Sequence, residues 1–124
     1  MDQSVKLLNT WFVDIDGVIF PHNGYLSKGD GECEEPLPGV VQFFNSLDSE
    51  DKIILCTARK EHFRQRTERS LTAAGIRYDI LIMELPTGKR ILINDRKDSG
   101  MNTAFAVNIA RNEGLKNVVS RFVD

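Results

Sequence analysis

The chain has 124 residues, of which 41% are hydrophobic and 27% charged, a globular composition that excludes a wholly disordered protein. Its length fits one hydrophobic core, so we expect a single domain over residues 1–124. The formal net charge of −2 conceals an asymmetry, because residues 1–51 carry −8 and residues 52–124 carry +6. Bulk electrostatic binding of nucleic acid is therefore not expected, whereas one basic surface is compatible with the sequence.

The N-terminus and the cysteines narrow the class of protein. Residues 1–9 contain no long apolar run, which predicts neither a signal peptide nor a transmembrane helix. Cys33 and Cys56 belong to no Cys-x-x-Cys or Cys/His cluster, so neither a structural zinc site nor a disulfide framework is expected. We therefore expect a cytoplasmic protein that has reduced thiols and no membrane partner.

Apolar runs and apolar spacing predict four strands and two helices along the chain. Helical spacing of apolar side chains covers residues 40–47 and 62–74. Strand-like apolar runs cover residues 11–15, 52–57, 78–83 and 90–94. Such runs are typical of strands buried on both faces of a parallel sheet, so we predict an α/β fold with a mostly parallel sheet.

Three segments carry more specific expectations. Residues 78–83 and 90–94 are separated by only six residues, whereas a parallel crossover needs about a dozen, so we expect an antiparallel hairpin. Residues 18–37 predict a flap, either a loop or a small hairpin. Residues 103–109 alternate larger and smaller side chains, which favours a strand, while a helix over residues 102–112 remains an alternative.

Two acids lie at the end of the first predicted strand. Asp14 and Asp16 are two positions apart, which in strand geometry places both carboxylates on the same side. Two neighbouring carboxylates repel each other unless a divalent cation or a shared proton relieves the repulsion, and magnesium suits such oxygen ligands. An acid buried in an apolar strand is also costly without a partner, which favours a functional role over a simple turn.

Polar side chains also follow two other predicted strands. Thr57 and Arg59 come after residues 52–56, and Asp95 comes after residues 90–94. The hydroxyl and backbone N–H of Thr57 suit a phosphate, and an arginine binds phosphate through two hydrogen bonds. Ligands of open α/β sheets bind beyond the carboxyl ends of the strands, so these groups are expected to converge on one site.

Three stretches, FVDIDGV at residues 12–18, LCTAR at 55–59 and LINDRKD at 92–98, resemble the first, second and fourth motifs of haloacid dehalogenase-like phosphatases. The resemblance implies a Rossmann-like three-layer sandwich and a magnesium-dependent phosphatase that hydrolyses a phosphomonoester. Asp14 would be the nucleophile that forms an aspartyl phosphate. Asp16 would protonate the leaving oxygen and later activate water.

The same resemblance implies the ligands of the metal and of the phosphate. Mg²⁺ would be held by the carboxylate of Asp14, the backbone carbonyl of Asp16, and Asp95. The transferring phosphoryl group would be bound by Thr57, and we also assign Ala58, Arg59 and Lys97 to the phosphate site. The intervals in which the family places cap domains, residues 20–37 and 60–89, are short here, so we expect a small capless type with an open site.

The lysine of the family's third motif has no clear counterpart. Lys89 lies in the right interval, but it begins the predicted strand 90–94 and would be about 15 Å from the catalytic edge, since a strand rises about 3.3 Å per residue. We therefore expect another residue to supply this charge. Lys97 is the first choice, with Lys60 and Arg59 as the alternatives.

The substrate is predicted only as a class. No aromatic platform for stacking single strands is evident, so a small phosphorylated substrate, a sugar or nucleotide phosphate, is favoured. The spacing of Thr57 and Arg59 resembles the phosphatase part of polynucleotide kinase-phosphatases, which keeps a nucleic-acid end as an alternative. An open site also fits closure by a second copy of the chain in a homo-oligomer, and His22, Asn23 and Tyr25 of the flap are candidate leaving-group contacts.

A second function is compatible with the same residues. Without the third-motif lysine, the chain fits a non-catalytic phosphate- or nucleotide-binding module of the same fold. A phosphorylated signalling receiver shares the acidic edge but fits less well, because the paired acids lie at the first strand end together with Thr57 and Asp95.

Overall fold

The computed structural model describes residues 7–118. Three parallel strands form one sheet in the order β1-β2-β3, with bounds Thr10–Asp14, Lys52–Cys56 and Ile80–Ile82. Two α-helices alternate with the strands, α1 at Val40–Ser46 and α2 at Arg64–Ala73, and short 3-10 helices lie at Gly24–Ser27 and Glu61–Phe63. The α/β class is confirmed, and these strands and α-helices lie where apolar runs and spacing predict them.

The core lies on one face of the sheet. Side chains alternate between the two faces of a strand, and the inward residues Val13 and Leu55 belong to a buried cluster that also includes Phe43 of α1 and Leu71 of α2. The intervening side chain of Phe12 is 56% exposed on the opposite face. Both helices therefore cover the same face of the sheet.

Asp51 joins the chain before β1 to the start of β2. Its carboxylate accepts a hydrogen bond from the indole N–H of Trp11 and another from the backbone N–H of Asn9, both at 2.9 Å. Asp51 is buried, and Trp11 packs edge-on against Phe43 of α1. The end of the sheet opposite the acidic pair is thus held by a carboxylate with two specific donors.

The predicted antiparallel hairpin of residues 78–83 and 90–94 is wrong. β3 pairs in parallel with β2, and residues 90–94 form no strand. After β3 the backbone N–H of Leu85 donates to the carbonyl of Thr57 at 3.0 Å, beyond the end of β2. The chain after β3 therefore passes the end of β2 and does not turn back along β3.

Other loop predictions are resolved in favour of irregular structure. Residues 18–37 form a flap with one 3-10 turn and no strand pair, which is the loop alternative. Residues 103–109 form neither the strand nor the alternative helix, and Phe105 and Val107 are about half exposed. Alternation of side-chain size therefore did not identify a buried element. Within residues 7–118, no helix has the length and apolarity needed to cross a bilayer.

Candidate functional site

Asp14 and Asp16 lie at the carboxyl end of β1 in different surroundings. β1 ends at Asp14, whose side chain is 42% exposed. The chain then turns through the fully buried Ile15, and the side chain of Asp16 is only 15% exposed. The first carboxylate is therefore accessible to a ligand, whereas the second is held within the protein.

Asp16 is fixed by the loop that follows β2. The hydroxyl of Thr57 donates to Asp16 Oδ2 at 2.8 Å. Arg59 donates from Nε to Oδ1 at 3.1 Å, and its Nη2 lies 3.0 Å from the same oxygen. Charge-assisted hydrogen bonds of this kind are among the stronger ones in proteins, so the orientation of the carboxylate is well defined.

Arg59 is itself buried and fully engaged. Its Nη1 and Nη2 donate to the two carboxylate oxygens of Glu34 at 2.7 and 2.8 Å, and Nη1 also donates to Thr67 at 3.0 Å. The ring of Tyr25 lies 4.1 Å from the guanidinium carbon. Burial alone would lower the pKa of Arg59, but the hydrogen bonds to Glu34 and Asp16 outweigh it and raise that pKa, so the guanidinium stays charged.

The second motif therefore reaches the site in two ways. The side chains of Thr57 and Arg59 are buried and contact Asp16, so in this structure they support a carboxylate and do not face a ligand. Ala58 is partly exposed, and its backbone N–H donates no hydrogen bond to the part of the chain that the structure describes. Among the second-motif residues predicted to bind phosphate, Ala58 offers the open donor.

Asp14 faces a cation that sequence reasoning missed. Arg90 Nη2 lies 4.0 Å from Asp14 Oδ1. Burial raises the pKa of Asp14 above its ordinary value, and Asp16 adds to the rise, while Arg90, a backbone hydrogen bond at Ile15 and His22 oppose it. The accessible carboxylate is thus influenced by two opposite charges, those of Arg90 and Asp16.

The sequence pointed to this part of the chain only through Lys89, the neighbour of Arg90, which lies in the interval of the family's third-motif lysine. The expectation of a strand over residues 90–94 put this part of the chain far from the catalytic edge. Because residues 90–94 form no strand, the distance expected between this segment and the carboxyl end of β1 does not hold. The loop instead places Arg90 beside Asp14, and Arg90 Nη1 donates to the carbonyl of Pro86 at 2.8 Å.

Within residues 7–118, the remaining predicted site residues, Asp95 and Lys97, make no hydrogen bond or ion pair with Asp14 or Asp16. Asp95 is exposed, and its backbone carbonyl accepts a hydrogen bond from the hydroxyl of Thr103. Lys97 is also exposed, its backbone N–H donates to the carbonyl of Met101 at 2.9 Å, and within residues 7–118 no ion pair joins it to Asp14. Asp95 and Lys97 depended on the strand that does not form.

The predicted magnesium ligands are two side-chain carboxylates, those of Asp14 and Asp95, and one backbone carbonyl, that of Asp16. Among residues 7–118, no group of three or more His, Cys, Asp or Glu side chains is placed to hold a metal ion. Asp14 and the carbonyl of Asp16 lie at the strand end, and the carboxylate of Asp16 is bonded to Thr57 and Arg59. Magnesium binding by Asp14, Asp16 and Asp95 stays a prediction of the sequence.

Glu34 is the second functional residue that sequence reasoning missed. It lies in the flap among the exposed acids Glu32 and Glu35, and no pattern in the sequence distinguishes it from them. Arg59 could have indicated that a buried acid is present, because a guanidinium buried after a strand needs an anionic partner.

Comparison with models of protein families finds no match for this chain, and neither curated proteins nor solved structures give one.

Proposed function

We propose that the protein is a phosphomonoesterase that acts through a covalent aspartyl phosphate on Asp14. The observation that carries the proposal is a pair of carboxylates at one strand end, one accessible beside a guanidinium and the other held in place. Asp14 is 42% exposed and 4.0 Å from Arg90, whereas Asp16 is anchored by Thr57 and Arg59. A nucleophile needs access, and an acid–base group needs a fixed direction.

In the first step an oxygen of Asp14 attacks phosphorus. The bond between phosphorus and the ester oxygen breaks as the bond to Asp14 forms, and a proton from Asp16 goes to the leaving oxygen. The product alcohol departs, and the phosphoryl group remains on Asp14 as an acyl phosphate. Splitting the reaction in this way replaces one difficult displacement with two easier ones.

In the second step water attacks the phosphorus of the acyl phosphate. Asp16 takes a proton from the water, and the phosphorus–oxygen bond to Asp14 breaks, which releases inorganic phosphate. Asp16 is held by Thr57 and Arg59 at the strand end, where the attacking water must lose its proton. The carboxylate then holds the proton that the next leaving oxygen needs.

Charge on the phosphoryl oxygens is met by Arg90 and the backbone N–H of Ala58. Catalysis of phosphoryl transfer depends on positioning and on electrostatic stabilisation of these oxygens. In this proposal Arg90 fills the role for which Lys97 was the first sequence-based choice. Magnesium dependence stays a prediction of the sequence and is tested by adding or omitting the ion.

The finer fold assignment belongs to the same proposal. We place the parallel sheet within a Rossmann-like three-layer sandwich of the haloacid dehalogenase-like, capless kind, whose second helical layer would lie on the face that exposes Phe12. Support comes from the strand order β1-β2-β3 and the acidic pair at the carboxyl end of β1. It also comes from the chain between β2 and β3, where α2 and one 3-10 turn occupy the interval of a cap.

A small phosphomonoester, a sugar or nucleotide phosphate, is the proposed substrate class. The exposed side of Asp14 admits the phosphoryl group, and Tyr25, a candidate leaving-group contact, instead stacks on Arg59. A nucleic-acid end remains the broader form of the proposal, and a panel that includes both classes decides between them.

The test is phosphate release from para-nitrophenyl phosphate, with and without magnesium, by the wild-type protein and by Asp14→Asn. We expect turnover by the wild type and loss of essentially all of it in the variant. Equal rates for the two proteins would contradict the assignment of Asp14. Glu35→Gln is the matched control, because it removes one exposed carboxylate of the flap.

The second candidate is a phosphate- or nucleotide-binding module without turnover. It is favoured because, among residues 7–118, no three His, Cys, Asp or Glu side chains form a group that could hold a metal ion. Saturable binding of a phosphorylated ligand, with no phosphate released across the substrate panel, would support this module and overturn the enzyme.

A further inference from the structure

Glu34 is a buried acid of the flap, and the two catalytic steps do not use it. It is 6% exposed, and both of its carboxylate oxygens accept hydrogen bonds from Arg59. Its backbone N–H donates to the hydroxyl of Ser70 on α2 at 3.0 Å, which fixes the backbone at the same point. A buried carboxylate held from both ends has one geometry available to it.

Arg59 transmits that geometry to Asp16. A guanidinium is planar and rigid, so fixing one edge of it also fixes the direction of the other edge. The Nη1 and Nη2 edge contacts Glu34 at 2.7 and 2.8 Å, and the Nε and Nη2 edge contacts Asp16 at 3.1 and 3.0 Å. The two acids are thereby held at neighbouring edges of a single rigid group.

The other contacts of Arg59 restrict its position without replacing Glu34. Thr67 accepts one hydrogen bond from Nη1, and Tyr25 stacks over the guanidinium plane. Stacking leaves rotation within the plane unopposed, and the single bond to Thr67 does not reach Nη2. The paired bonds to Glu34 are the contacts that define the in-plane orientation.

We propose that Glu34 is a positioning residue, which orients the acid–base carboxylate Asp16 through Arg59 and so couples docking of the flap to proton transfer. This inference rests on the proposed phosphatase activity. It adds that the flap determines how well the leaving oxygen is protonated. Glu34 itself touches neither the substrate nor the reacting atoms.

Leaving groups of different basicity separate a positioning role from a merely structural one. Nitrophenolate departs with little help from an acid, whereas the alkoxide of glycerol 2-phosphate needs a proton as it leaves. If Glu34 orients Asp16 for this transfer, its loss is felt mainly with the alkyl phosphate. A general structural loss would lower the rates of both substrates by the same factor.

The experiment compares kcat/KM of the wild type, Glu34→Gln and Glu35→Gln for para-nitrophenyl phosphate and glycerol 2-phosphate. kcat/KM reports the step that transfers the phosphoryl group to Asp14. We expect Glu34→Gln to lose on the order of tenfold more for the alkyl phosphate than for the aryl phosphate, since acid catalysis contributes about a hundredfold or more. Glu35→Gln, with the same change in charge at an exposed neighbour, keeps the wild-type ratio.

Each result decides the matter. Equal losses for both substrates, or no loss, would overturn the positioning role while the phosphatase stands. A wild-type protein without turnover on either substrate would overturn the proposed function and this inference with it. If Glu34→Gln does not fold by circular dichroism, Glu34→Asp carries the same comparison, because it keeps the buried charge but is too short to reach both Nη atoms.

Discussion

Arg90 and Asp14 face each other across the carboxyl end of β1, with Nη2 and Oδ1 4.0 Å apart and both side chains more than 40% exposed. The separation is at the outer limit of an ion pair, so each group keeps capacity for a ligand. A phosphoryl group bound to Asp14 carries oxygens that can reach this guanidinium. The pair is therefore better suited to receiving a substrate than to stabilising the fold.

Arg90→Gln is expected to lower kcat/KM for an aryl phosphate on the order of tenfold, because it removes a partly exposed cation beside the transferring group. It also removes a charge that lowers the pKa of Asp14. The nucleophile must be ionised, so the acid limb of the pH profile is expected to move to higher pH. Steady-state rates measured across pH give both quantities.

Arg96→Gln is the matched control, since the guanidinium of Arg96 is exposed and donates to Asn102 at 2.9 Å. We expect its rates and pH profile to equal those of the wild type. If the rates and pH profile of Arg90→Gln equal those of Arg96→Gln, Arg90 does not act on the substrate or on Asp14.

Asp14→Asn is expected to stabilise the protein at about pH 7. The pKa of Asp14 is raised in the folded state, mainly by burial, so the ionised form is disfavoured there and lowers stability at neutral pH. This penalty disappears as pH falls below the ordinary carboxyl value of about 4, because the group is then protonated in both states. The side chain is 42% exposed, and solvent screening limits the gain to less than about 1 kcal/mol.

Urea denaturation of the wild type and Asp14→Asn over this pH range measures the difference. A variant less stable than the wild type at neutral pH would mean that Asp14 gains more from Arg90 than it loses by burial.

Gly114→Ala is expected to destabilise the protein by about 2 kcal/mol or more, through backbone strain and steric overlap. Gly114 has φ +85°, and an added Cβ would overlap the carbonyl oxygen of Pro38. That oxygen accepts a hydrogen bond from the backbone N–H of the buried Leu115 at 2.9 Å. The added Cβ would therefore disturb the hydrogen bond that holds residues near 115 against Pro38. Thermal or chemical denaturation reports the loss.

Gly31→Ala separates the two causes. Gly31 has φ +84°, but nothing lies within 4 Å of an added Cβ. Its substitution is expected to cost only the strain of the left-handed backbone, about 1 kcal/mol. Equal losses at Gly31 and Gly114 would show that the close approach to Pro38 contributes nothing.

Asp51→Ala is expected to lower the free energy of unfolding by about 2 kcal/mol, because it removes a buried acceptor of charge-assisted hydrogen bonds from Trp11 and Asn9. Glu50→Ala, at an exposed neighbour, is expected to stay within about 0.5 kcal/mol of the wild type. Trp11 fluorescence during urea denaturation follows both variants, and a loss at Asp51 no larger than that at Glu50 would contradict this account.

The sequence predicts the regular elements of residues 10–83 well, because each is defined by local apolar pattern. The run 11–15 became β1, and the helical spacing of 62–74 became α2. Residues 90–94 have the same apolar character but no strand, and Ile91 and Ile93 are at least 80% exposed. Pattern reports that a run is apolar; it does not report whether a neighbouring strand is in place to pair with it.

The site was predicted to the extent that its residues follow predicted strands. Asp16, Thr57 and Arg59 are in contact because β1 and β2 are parallel and in register at Asp14 and Cys56. Glu34, which contacts Arg59, and Arg90, which lies beside Asp14, are in loops, and the path of a loop cannot be predicted from the spacing of apolar side chains. Glu34 reaches Arg59 across 25 residues, and Asp95 was placed by a strand that the structure lacks.

A phosphoryl group carried by Asp14 is detected most directly with Asp16→Asn and para-nitrophenyl phosphate. This substrate needs little acid catalysis, so Asp14 is expected to react, while hydrolysis of the acyl phosphate is slow without the base Asp16. Mass spectrometry of the acid-quenched protein is expected to find one phosphoryl group on the peptide that contains Asp14. A phosphoryl group on a different residue, or none while wild-type turnover proceeds, would contradict the account.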